Sequence, residues 1–102
     1  MRGGAKIDDT LERQLAAAEA DARSLDVVVR LAKSASRTAD QTIVTTRALL
    51  ERAAAELGVA ADRTKVFEHL GYFAILAPVR LLRHLARQPE VETLRVNRPR
   101  PA

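Results

Sequence analysis

Two short stretches constrain the fold of this chain more than anything else in it. In residues 25–32, Leu25, Val27, Val29 and Leu31 alternate with Asp26, Val28, Arg30 and Ala32, so a run rich in β-branched residues carries apolar side chains on both alternations of a strand. Residues 72–77, Tyr72-Phe73-Ala74-Ile75-Leu76-Ala77, are apolar throughout. A strand of that kind belongs inside a sheet, because both of its faces lose free energy when left in water. The material for covering it is limited. The chain has 102 residues, no Trp, one Tyr and two Phe, so its core rests on Leu, Val, Ile and Ala.

The segments around these strands follow a helical period. Residues 9–24 read as a helix, with Asp9 and Glu12 at capping-box spacing and Leu11, Leu15, Ala18 and Ala22 on one narrow stripe. After a polar connection at 33–37, Thr38 and Gln41 repeat the capping-box spacing. The following helix places Ile43, Leu50, Ala53, Ala54 and Leu57 on one face and ends at Gly58. Residues 64–70 alternate loosely and Gly71 interrupts them, so they pair with 72–77 as an antiparallel hairpin. Pro78 opens a helix with Leu81, Leu82 and Leu85 on its buried face and Arg80, Arg83 and Arg87 opposite. Pro89 stops that helix, and residues 91–96 form a last strand.

After the first helix the order is strand, helix, strand, strand, helix, strand. Right-handed crossovers then give an α+β fold: a ferredoxin-like βαββαβ antiparallel four-stranded sheet with two helices on one face. Residues 1–24 are expected to be an N-terminal helical extension and 25–102 the ferredoxin-fold domain. Two helices cover one face only. The other face is left with apolar residues that a partner covers, unless the N-terminal helix folds back over it.

Charge and chemistry narrow the function. Residues 1–40 and 41–78 are each balanced, and the net charge of +4 arises at 79–102, where six Arg face Glu90 and Glu92. That is one local cluster rather than a basic surface. There is no Cys, and His69 and His84 have no second His or carboxylate at ligand spacing, so no metal site and no cofactor are expected. Ser24, Ser34 and Ser36 lack a glycine-flanked elbow, and the glycines form no phosphate-cradling loop. The expectation is therefore a protein that is not an enzyme. RNA binding through a ferredoxin-like sheet needs aromatics on both central strands, and residues 25–32 contain none, so no nucleic-acid partner is expected. No apolar run is long enough to span a bilayer and no secretory signal precedes Asp8, which points to a cytoplasmic protein without membrane contact.

The C-terminal half resembles a known family. Gly71-Tyr72-Phe73-Ala74-Ile75-Leu76-Ala77-Pro78, a leucine-bearing helix, and then Gln88-Pro89-Glu90-Val91-Glu92-Thr93-Leu94-Arg95-Val96 resemble the propeptide and inhibitor domain of subtilisin-like serine proteases. Residues 25–32 match that family's first strand and 42–57 its first helix, so the resemblance covers about 25–102. It implies a binding protein that inhibits or chaperones a subtilisin-like serine protease. The open sheet face would dock on the enzyme, with Val28, Arg30, Tyr72, Phe73 and Ile75 as contact candidates. The resemblance also implies that Val96, Asn97, Arg98, Pro99, Arg100, Pro101 and Ala102 occupy the substrate cleft, with Ala102 nearest the catalytic serine. No protease domain follows, so a stand-alone inhibitor or a separately expressed propeptide-like module is expected. The alternative is a regulatory adaptor that recruits a partner through the sheet face or the N-terminal helix, which also offers a route to self-association.

Overall fold

The computed structural model describes residues 6–97. It contains α1 (Asp9–Ala20), β1 (Ser24–Leu31), a 3-10 turn (Lys33–Ala35), α2 (Ala39–Leu57), β2 (Arg63–Phe67), β3 (Tyr72–Pro78), α3 (Val79–Ala86) and β4 (Val91–Val96). The strands form one antiparallel sheet in the order β2-β3-β1-β4, which is the ferredoxin-like arrangement with β1 and β3 at its centre.

The strand alternation is realised side by side. Leu25, Val27, Val29 and Leu31 of β1 are buried, as are Phe73, Ile75 and Ala77 of β3, with Phe73 0% and Ile75 1% exposed. All point to the helical side, so Phe73 and Ile75 are core residues and not contacts on the open face. The sequence leaves this undecided because every residue of 72–77 is apolar. The register settles it by pairing Phe73 with Val29 and Ile75 with Val27, the two fully buried positions of β1.

Helix α1 is also on the helical side. Leu11, Leu15 and Ala18 are fully buried in the same core as Leu81, Leu82, Leu85 and Leu94. The helix therefore does not fold over the open face and is not a separate extension. Leu11, Leu15 and Ala18 of its stripe are taken up in the chain's own core, and Ala22 alone of that stripe is exposed. Arg83 of α3 fastens it through Glu12 at 2.9 Å, with Glu19 3.8 Å away. That hydrogen bond raises the Arg83 pKa above its ordinary value. Asp8, not Asp9, is the N-cap, accepting from the Leu11 N–H at 2.8 Å.

Helix α1 also ends earlier than its periodicity suggests. Ala22 has a φ of 53°, Arg23 N–H donates to Ala18 O at 3.0 Å and Ala22 N–H to Glu19 O at 3.2 Å. These are the two bonds of a Schellman motif, with alanine where glycine is preferred. Ala22 is exposed and lies beyond the buried stripe. Ala22→Gly is expected to raise stability by about 0.5–1 kcal/mol in urea denaturation, since the left-handed conformation strains a Cβ more than the added chain entropy costs.

The Thr38 hydroxyl caps α2 by accepting from the Gln41 N–H at 3.0 Å, while Gln41 Oε1 accepts from Arg37 N–H at 2.6 Å. Gly58 closes the helix at φ 67°. Of the expected stripe only Ala53 is fully buried; the rest of the buried face is Thr42, Thr46 and Leu49. Ile43, Leu50 and Leu57 are half-buried and Ala54 is exposed. Thr42 shows how a threonine is accommodated on the buried face. Thr42 returns its hydroxyl to Thr38 O at 3.1 Å and so packs through its methyl group like a small aliphatic residue. On the α3 side, Arg52 donates to Glu90 at 2.9 Å and holds its carboxyl below the usual glutamate range, against the opposing effect of burial. The stability from this pair is present above the ordinary Glu pKa and is lost as pH falls through the lowered one.

Candidate functional site

Among the described residues nothing covers the sheet face away from the helices, and the register arranges it in three rows across the four strands. One row runs Phe67, Tyr72, Arg30, Thr93, and the next Lys65, Ala74, Val28, Arg95. The third runs Arg63, Leu76, Asp26 and ends at Asn97, whose backbone N–H donates to Asp26 O at 3.1 Å. The middle of the face is thus aliphatic: Val28, Ala74 and Leu76, all half-buried. Exposed Arg63 and Lys65 flank it on β2, Arg95 on β4, and Arg30 stands at one end. Phe67 and Tyr72 form an aromatic corner with ring centroids 4.9 Å apart, and Lys65 Nζ lies 5.3 Å from the Phe67 centroid. Such a face offers apolar contact area in the centre and a cationic frame around it.

Several features hold this surface in shape. Asp26 is occupied by Asn97, whose Nδ2 donates to Oδ1 at 3.1 Å. Arg95 lies 3.7 Å from Asp8 yet keeps 68% of its side chain exposed. The hairpin turns through Glu68 to Gly71, shorter at the strand end than expected, and Gly71 takes a φ of 74°. A Cβ there would meet Ser36 Oγ at 3.2 Å, and the Gly71 carbonyl accepts from the Leu31 N–H at 3.0 Å. Gly71 therefore lets the hairpin close against the end of β1, which sets the register of the rows.

Of the expected contact residues, Val28, Arg30 and Tyr72 lie together on this face. Val96 ends β4, half-buried against the core opposite Val27, so it belongs to the sheet and not to a free tail. Asn97 is tied to Asp26 in the same way. Arg98, Pro99, Arg100, Pro101 and Ala102 lie outside the described residues. Sequence reasoning missed Arg63, Lys65 and Arg95. Their signal was the strand parity: once Val66 and Leu94 are placed in the core, their neighbours turn outward. Among the described residues the C-terminal arginines are dispersed: Arg80 and Arg83 belong to α3, Arg87 is its C-cap, and Arg95 lies on the open face.

The histidines are apart from this face. His69 is exposed in the hairpin turn, 3.9 Å from Glu68. His84 is buried on α3 with neither ring nitrogen hydrogen-bonded, although Glu56 Oε1 approaches Nε2 to 3.4 Å. Among the described residues there is no group of three or more His, Cys, Asp or Glu that could hold a metal ion, and no helix is long and apolar enough to cross a membrane. No family model, curated protein or solved structure matches the chain.

Proposed function

We propose that this protein is a non-catalytic binding domain that docks through its uncovered sheet face on a subtilisin-like serine protease, inhibiting it or assisting its folding. The observation that carries the reading is the open face itself. Among the described residues all three helices pack on the other side, leaving Val28, Ala74 and Leu76 as an aliphatic strip in a cationic frame. Patches of this kind on small domains mark partner surfaces. The end of β4 supports the same reading. Asn97 sits at the rim of the face in the row of Asp26 and Leu76, so the chain beyond it starts from the docking surface. An extended segment beginning there suits strand addition in a substrate cleft.

The test is a titration of the 102-residue chain into a subtilisin-like protease, following peptide hydrolysis. Stoichiometric inhibition is the expected result. A protein that is digested without slowing the enzyme overturns the proposal and favours the adaptor reading.

A further inference from the structure

We infer that two copies of this chain associate through the outer edge of β2 and the adjoining flank of α2, building a continuous eight-stranded sheet from two four-stranded ones. The two ends of the sheet are unequal. At β4, Ile7 forms a parallel bridge to Leu94, and the Leu94 N–H donates to Lys6 O at 2.8 Å, so that edge is partly covered by the chain's own N-terminal segment. At β2, the only paired strand is β3, and the outer row of backbone groups has no strand against it among the described residues. An uncovered edge is a template for another strand.

Above this edge lies the apolar stripe that α2 turned away from its own core. Ile43 and Leu50 are half-buried and Ala54 is exposed, and together with Val66 they line a groove between helix and strand. Val44, further round the helix, is 62% exposed, one of the two most exposed large apolar side chains of the domain. Antiparallel pairing of β2 with a second β2 about a two-fold axis sets two such grooves side by side, so that each stripe faces its equivalent.

Charge identifies a second copy as the occupant. Arg47 and Glu51 lie one turn apart in the same groove, and neither is within salt-bridge distance of a partner among the described residues. A two-fold axis midway between them brings each Arg47 to the other copy's Glu51 and sets Val44 level with the other copy's Ala54. The strand register is chosen by the same logic. Pairing Lys65 with Lys65 would oppose like charges, whereas pairing Val66 with Val66 places each Lys65 against a Phe67 ring and joins the apolar grooves. The open face stays free and runs on from one copy into the next.

Sedimentation equilibrium of the full 102-residue chain tests this. The weight-average mass is expected to rise with concentration toward twice 11.2 kDa. Arg47→Glu and Glu51→Arg are each expected to weaken association about tenfold, since each removes both symmetry-related pairs and opposes like charges. The double swap restores it. Both positions are exposed, so circular dichroism is expected to show unchanged folding in every variant. A mass of 11.2 kDa up to the highest soluble concentration overturns the inference, as does a dimer indifferent to both single reversals.

Discussion

Phe73→Ala is expected to cost about 3–5 kcal/mol of folding stability, the largest loss of any single truncation in this domain. Phe73 is 0% exposed and the largest fully buried side chain. It lies on an inner strand between Val29 of β1 and Val66 of β2, so truncation leaves a cavity in the middle of the sheet's covered face. The neighbouring Tyr72 provides the control. It stands on the open face, half-buried, and its identified interaction is the stacking with Phe67 at 4.9 Å. Tyr72→Ala is expected to cost roughly 1 kcal/mol, the scale of a single aromatic pair. Urea denaturation of both variants reads the parity of β3 directly. A larger cost for Tyr72→Ala than for Phe73→Ala would mean that the strand presents the opposite side to the helices. Leu82→Ala, in the fully buried face of α3, is expected at about 2–5 kcal/mol by the same cavity argument.

Removal of residues 98–102 is expected to weaken protease inhibition by orders of magnitude and to leave folding unchanged. The folding half follows from the anchors: Val96 packs against the core and Asn97 makes two hydrogen bonds to Asp26, all retained in a chain ending at Asn97. The inhibition half follows from the proposed mode. A docked face alone covers a surface away from the catalytic serine, whereas an extended segment in the cleft excludes substrate and adds main-chain hydrogen bonds. Pro99 and Pro101 restrict that segment before binding and lower the entropy lost on ordering it. Equal inhibition by the shortened chain would remove the tail from the mechanism.

The parts of this fold legible in the sequence are those fixed by local rules. Thr38 with Gln41, Gly58 and Pro89 marked two helices well, the alternation of 25–32 gave β1 nearly to the residue, and the segment 91–96 after Pro89 matched β4. What was not legible depends on three-dimensional choices between near-equivalent options. An all-apolar β3 does not say which side is inward, and Phe73 and Ile75 went to the core. Helix α2 has two candidate faces, and the buried one contains Thr42, which returns its hydroxyl to Thr38 O and packs through its methyl group, and Thr46, whose buried hydroxyl has no hydrogen-bond partner among the described residues. Ala22 in a left-handed cap is invisible to periodicity because glycine is the residue that signals such a cap. The cationic frame of Arg63, Lys65 and Arg95 emerges only when β2 and β4 are set beside the central strands.

The most direct measurement is the inhibition titration repeated with Val28→Glu. Val28 is at the centre of the uncovered face, between Ala74 and Arg95, and its half-buried position tolerates the change without loss of the fold. A carboxylate there disrupts the aliphatic strip, and inhibition is expected to weaken by about 100-fold or more, the scale of a central interface residue, with unchanged circular dichroism. Inhibition by the folded variant at the strength of the unmodified chain would contradict the assignment of this face as the docking surface.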